Sequence, residues 1–246
     1  MLPVLFRIGP VAVYSYPVVL LLAFLSGSAL ARWYLRRSGV PVSMATDLAL
    51  AAAVGGIVGA RGLHVAGHWT EYARHPLWIL MLQRGGMVFY GGLIGGAAAV
   101  AALAISRRLP GARIADAAAL AVPLGSAVGR VGCFLNGCCA GRPTNGPLGV
   151  SFPDSTAHVL PTQLIDAAAN GLILAVLLHV AVRMRPRDGM LWWIFLMLYA
   201  VTRFSVELLR VNPQLALGMT EAQWISMALL GAGSVGLGAL YRRPSE

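Results

Sequence analysis

No lysine occurs among the 246 residues, and all 19 permanent cations are arginines. Charge of either sign is scarce: 11% of residues are charged and 58% are hydrophobic, where a soluble domain carries about a quarter charged residues. That shortage excludes an ordinary water-soluble globule. Cysteine numbers three and no histidine has zinc-site spacing to any of them, so no metal is expected. No βαβ pattern surrounds the glycine runs "GAR" and "GGLIGG", which excludes a dinucleotide fingerprint; no cofactor is expected. The opening "MLPVLFRIGPVAVYSYP" lacks a basic n-region and a small-residue cleavage site, so the first span is expected to stay in the mature protein. The net charge of +10 is spread over short loops rather than gathered on one face or tail. Anionic lipid headgroups therefore suit it better than nucleic acid, for which no module is present.

What remains is apolar sequence in long runs. A bilayer core needs about 20 such residues per helix, and the sequence predicts seven spans at roughly 13–31, 48–68, 86–105, 114–135, 163–182, 190–210 and 222–240. The fold class is thus an all-α integral membrane protein, one polytopic domain over 1–246. Loop arginines divide into eleven on one side (Arg32, Arg36, Arg37, Arg107, Arg108, Arg113, Arg183, Arg185, Arg187, Arg242, Arg243) and five on the other (Arg7, Arg74, Arg84, Arg142, Arg210). The richer side is expected to be cytoplasmic, with the N-terminus outside and the C-terminus inside.

Three arginines interrupt the spans themselves: Arg61, Arg130 and Arg203. At 1.5 Å per residue each sits roughly 20 Å along a helix rising from the cytoplasm, in the outer third of the bilayer. An arginine at a span centre opposes insertion by about 2.5–3.5 kcal/mol. It must face the bundle interior and find an anion. Internal partners are Glu207, one helical turn after Arg203, and Asp116 and Asp166 near span ends. The external partner is a lipid phosphate, which a guanidinium fork grips in bidentate fashion. Glu207 either orients Arg203 or stands as an exposed charge at the outer interface.

Glycines at spacing four in "GGIVGARG" and "GGLIGG" let helices approach closely. Gly141 serves a turn or a close backbone approach to a ligand. Cys133, Cys138 and Cys139 admit three readings: small apolar fillers, a disulfide, or a metal or redox site. A channel or transporter for an organic anion would also use three arginines, yet no clear repeat and no matching pair of broken helices accompanies them. A membrane thiol-redox protein built on the three cysteines is the other rival.

Several stretches together resemble the prolipoprotein diacylglyceryl transferase family. "IGPVAVYSYP" at 8–17 is similar to its opening segment, with Tyr16 at the tyrosine position. "GARGLH" at 59–64, "GGMVFYGGLIGG" at 85–96 and "GRVGCFLNGCCAG" at 129–141 resemble its second-, third- and fourth-span motifs. "LPTQLID" at 160–166 and "RFSVELLR" at 203–210 match later motifs, and Gln223 stands at a family glutamine before the last helix. The resemblance implies transfer of diacylglyceryl from phosphatidylglycerol to the lipobox cysteine of a preprolipoprotein, at the outer leaflet of the bacterial inner membrane. A divergent lipid transferase with another thiol acceptor is its variant. It also implies catalytic roles for Arg130, Arg203, Tyr90 and Glu207, and lipid binding by Arg130, Arg203, Arg61, Tyr16, Asn136 and Gly141.

The chain departs from the family pattern at named positions. Tyr90 replaces a third-span histidine, Cys133 the signature asparagine, and Cys138 a residue that is commonly acidic. Leu160 and Ile165 replace a histidine and a tyrosine. Tyr90, expected about four residues inside the third span, either accepts the thiol proton or only positions substrate. Tyr16 is expected as a headgroup-level anchor.

Overall fold

The computed structural model describes residues 2–9, 11–152, 158–184 and 186–242. Arg185 and Arg243, counted above among the loop cations, lie outside them. Seven helices among the described residues are long and apolar enough to cross a membrane: α1 (Ser15–Arg37), α2 (Val42–Gly67), α4 (Phe89–Ser106), α5 (Gly111–Asn136), α6 (Thr162–His179, continued to Met184 as a π turn), α7 (Met190–Glu207) and α8 (Glu221–Arg242). The short α3 (Trp69–Tyr72) follows α2. Many large apolar side chains point outward, including Val58, Ile94, Ile105, Leu172 and Val235. Lipid solvates such a surface; water would not.

Helix ends differ from the hydropathy expectation for local reasons. The first helix runs past 31 to Arg37, because Arg36 and Arg37 in its last turn complement the helix dipole. Gly39, at φ +81°, then ends it; its N–H and that of Val40 bond back to Arg36 and Leu35. Likewise α4 begins at Phe89 rather than 86, since Gly85 and Gly86 both hold positive φ. The sixth span stops at Glu207, ahead of Pro213, and Gln223 proves to lie inside α8 rather than before it. The all-α expectation needs one amendment. Two short antiparallel ladders occur, β1 (Val4–Ile8) with β2 (Val11–Tyr14) and β3 (Val150–Ser151) with β4 (His158–Val159).

The helices fall into two compact units, residues 32–114 and residues 1–31 with 115–246. In the first, α2 packs on α4 through glycines. A Cβ on Gly59 would stand 2.3 Å from the Gly91 carbonyl oxygen, and one on Gly95 2.4 Å from that of Gly55. Backbone therefore touches backbone, which only residues without a Cβ permit. In the second unit, α6, α7 and α8 pack in sequence around Leu177, Leu191 and Phe195. Two polar devices fix helix starts there. Asp116, fully buried on α5, accepts the N–H groups of Gly189 (2.7 Å) and Trp192 (3.0 Å) at the start of α7. Thr220 and Gln223 form a reciprocal capping box on α8, with Thr220 N–H to Gln223 Oε1 at 3.0 Å.

Substitution separates contact glycines from open ones. Gly59→Ala is expected to destabilise the protein by about 1–3 kcal/mol through overpacking. Gly62→Ala, where nothing lies within 4 Å of the new Cβ, is expected to be neutral or stabilising. Thermal unfolding of both variants in detergent checks this; equal midpoints would contradict the close α2–α4 approach.

Candidate active site

The stretch "GRVGCFLNGCCAG" forms the last turns of α5 and the loop beyond it. Gly137 takes φ +77°, and its N–H bonds to Phe134 O (3.2 Å) while Cys138 N–H bonds to Cys133 O (3.1 Å). This is a Schellman ending, which turns the chain back over the helix it leaves. Next, the loop is pinned to two neighbouring helices. Thr162 Oγ1 donates to Cys139 O (3.1 Å) and Gln163 Nε2 to Cys138 O (2.6 Å), both from the buried first turn of α6. Gly141 N–H bonds to Leu160 O and Arg142 N–H to Leu209 O, each at 2.9 Å. A Cβ on Gly141 would lie 2.5 Å from Thr162 Cγ2 and 2.6 Å from Leu209 O. No side chain fits there. The segment 137–142 thereby ties the end of α5 to the start of α6 and the end of α7.

Two arginines stand on the tied helices, each with its own carboxylate. Arg130 Nε meets Asp166 Oδ2 at 2.7 Å, with side chains 26% and 7% exposed. Asn170, one turn further along α6, donates to Asp166 Oδ1 at 3.0 Å and so orients the carboxylate. Arg203 Nη1 meets Glu207 Oε2 at 2.6 Å, and Glu207 Oε1 accepts from Asn212 Nδ2 at 2.6 Å. Glu207 is buried, so its place is the oriented one rather than the exposed interface. Among the described residues no protein acceptor reaches the remaining nitrogens of Arg130 or Arg203. Donors left over after internal pairing are available to an anion.

The other expected residues are placed as follows. Tyr16, at the start of α1, lies against Gly132, whose Cβ would come 3.5 Å from the tyrosine ring; Arg130 and the three thiols are within its electrostatic reach. Asn136 is exposed at the end of α5 and hydrogen-bonds the Cys138 thiol. In the other unit, Tyr90 is the second residue of α4 and 53% exposed, rather than a full turn inside the span. The two glycines that delay the helix account for the shift. Arg61 is buried on α2, and its guanidinium donates to the carbonyl oxygens of Ile79, Gly85, Gly86, Trp78 and Met81. Its five N–H groups meet five acceptors. The Tyr72 ring lies 5.1 Å from its Cζ, so this cation holds the 76–86 loop against α2.

The sequence reading missed Thr162, Gln163, Asn170, Asn212 and Arg210 as supporting residues. A buried stripe of polar side chains along α6, at 162, 163, 166 and 170, was the signal: hydropathy conceals such a stripe and helical spacing reveals it. The three sulfur atoms lie within 4.8 Å of one another. Cys139 sits at φ +65°. Its thiol is drawn down to about 5, chiefly by the hydrogen bond from Cys133, with the Arg210 charge assisting. Burial pushes the Cys138 thiol up.

These features define a multi-pass helical membrane protein with paired arginine–carboxylate groups at the ends of its helices. The chain belongs to the prolipoprotein diacylglyceryl transferase family, whose profile matches residues 3–238. Proteins named phosphatidylglycerol–prolipoprotein diacylglyceryl transferase resemble it nearly end to end. That of Nostoc sp. is 32% identical over 98% of this chain and 90% of its own length. That of Rhodospirillum rubrum is 36% identical over 95% and 90%, and that of Aeromonas salmonicida 34% identical over 98% and 91%.

Two outcomes check the site. Asp166→Asn removes the countercharge of Arg130 and is expected to cost a few kcal/mol, because a half-buried cation is left unpaired; unchanged thermal stability would contradict the pairing. Alkylation of chelator-treated protein, mapped by peptide mass, is expected to label Cys139 from about pH 5 upward. Cys138 should be labelled only above the usual cysteine range, near 8.5; equal labelling at pH 6 would contradict the assigned order.

Proposed function

We propose that Arg130 and Arg203 bind the phosphodiester of phosphatidylglycerol while the chain transfers its diacylglyceryl group to a prolipoprotein. The observation that carries this reading is the pair of guanidinium groups, each fixed through one nitrogen by its own buried carboxylate and each with further donors free of protein acceptors among the described residues. Preorganised cations suit the reaction. The acceptor thiolate attacks the glycerol carbon that bears the phosphate. The S–C bond forms, the C–O bond breaks, and the electron pair leaves on glycerol phosphate. Charge grows on that departing phosphate, and fixed donors aimed at growing charge are usually the largest catalytic contribution. The acceptor is a lipobox cysteine in this reading. Asp166 and Glu207 hold the arginines.

The eleven-to-five division of loop arginines supports an outward N-terminus and a site facing the outer leaflet of a bacterial inner membrane. Tyr16 and Asn136, beside the end of α5, line the headgroup side. Gly141 contributes by admitting the close approach of the loop to Thr162 and Leu209. Arg61 contributes by shaping the 76–86 loop, and Tyr90, exposed at the first turn of α4, positions substrate in this reading. An anion transporter gains no matching observation.

Arg130→Ala and Arg203→Ala are each expected to lower transfer of labelled diacylglyceryl to a lipobox peptide by about 10²–10³-fold, with protein still inserted in the membrane. Lysine at either position should restore little, since it lacks the fork. Tyr90→Phe should retain activity. Near-normal transfer by either alanine variant would overturn the phosphate assignment.

A further inference from the structure

We propose that Cys133, Cys138 and Cys139 form a site for a thiophilic d10 cation, zinc foremost, whose fourth coordination position is open to the incoming acceptor thiol. The second part rests on the transfer reading above; the first does not.

Three sulfur atoms within 4.8 Å of one another are close to what tetrahedral zinc requires, since Zn–S distances of about 2.3 Å put ligand sulfurs roughly 3.8 Å apart. The backbone brings them there by three independent means. The Schellman turn at Gly137 folds Cys138 over Cys133. Cys139 holds a left-handed φ of +65°, a conformation that costs a non-glycine residue on the order of 1 kcal/mol and persists only when its surroundings impose it. Thr162 and Gln163, both buried, grip the carbonyls of residues 139 and 138. Filler cysteines would need none of this.

Charge also favours the cation. Zinc with three thiolates carries one net negative charge, and Arg130 acts on Cys133 while Arg210 acts on Cys139. On binding, three S–H bonds are exchanged for three S–Zn bonds and three protons pass to water. Among the described residues no histidine or carboxylate completes the set, and three protein ligands with one open position is the pattern of catalytic rather than structural zinc. A thiol entering that position loses its proton outright. Cys133 lies three residues after Arg130, on the same face of α5, so a metal-held thiolate would stand about one helical turn from the phosphate-binding guanidinium. The site thus supplies a means of thiol activation that does not depend on Tyr90, which stands where the family pattern has a histidine.

Cobalt(II) is the direct probe. Reduced protein in detergent is expected to bind one Co²⁺ per chain, with sulfur-to-metal charge-transfer bands and tetrahedral d–d bands that zinc abolishes. The variant with all three cysteines changed to alanine should keep its thermal midpoint and lose those bands. A lipobox peptide with cysteine, but not its serine analogue, should shift the cobalt spectrum. Transfer by the triple variant should fall about 30-fold at pH 7, where a thiol of ordinary pKa is only a few per cent ionised, and recover toward pH 9; a purely structural loss would not recover. Absence of thiolate–cobalt bands, or an intact mass two hydrogens lighter that marks a disulfide, would overturn the site. Bands unmoved by the cysteine peptide would overturn the open position. Cobalt bands in a protein that transfers no diacylglyceryl would sink the transfer reading and leave the metal site standing.

Discussion

A permanent cation cannot be left alone in hydrocarbon, and the second unit is organised around that constraint. Arginine keeps its proton, so each guanidinium drawn from water must meet acceptors, and the two span arginines of this unit meet carboxylates. Arg130 takes Asp166 from the next helix, and Arg203 takes Glu207 from its own. Each carboxylate is then fixed by an amide, Asn170 or Asn212. These chains set the rotation of α6 and α7. The stripe 162, 163, 166, 170 must face inward for Asp166 to reach Arg130, and Leu177 and Ile173 follow on the same face. Apolar packing accommodates the polar chain rather than the reverse.

The loop after α5 does the rest of the positioning with backbone rather than charge. Segment 137–142 contributes carbonyls to Thr162 and Gln163 and N–H groups to Leu160 and Leu209. Gly141 is small because a carbonyl and a methyl already occupy the place of its Cβ. A loop so held cannot drift from the helix ends. The arginine on α5 and the arginine on α7 are therefore carried by elements bound to one short strap.

How much of this the sequence disclosed depends on which force acts at each residue. Seven spans were legible because hydropathy reports lipid contact directly, as at Leu172 or Val235. Span ends were less so: Gly39 ends α1 and Gly85 delays α4 by backbone conformation. The ion pair Arg203–Glu207 was readable from spacing of four. The pair Arg130–Asp166 joins two helices, and Asp166 was only one of several carboxylates near span ends. Asp116, equally eligible, instead caps α7 with its oxygens. No local pattern distinguishes these fates, since both depend on which helix lies alongside. The meeting of Cys133 with Cys138 is local in origin, yet it needs the left-handed Gly137 to be recognised as a helix ending and not as one more packing glycine.

Arg61, Arg130 and Arg203 look alike in sequence, and counting donors tells them apart. A guanidinium offers five N–H groups in a rigid fork. All five of Arg61 meet carbonyl oxygens of the 76–86 loop, so an anion approaching it would have to displace a backbone contact. Arg130 reaches Asp166 through Nε, which leaves both Nη groups as a fork. Arg203 spends one Nη on Glu207 and keeps the rest. Partial neutralisation by a carboxylate weakens the pull of a guanidinium on an anion, but the alternative is worse: an unpaired arginine is costly to bury and free to rotate. One nitrogen bound and the others directed gives an anion a cation that is already oriented. The same residue type thus meets backbone carbonyls in one unit and carboxylates in the other, and the difference lies in what accepts the hydrogens.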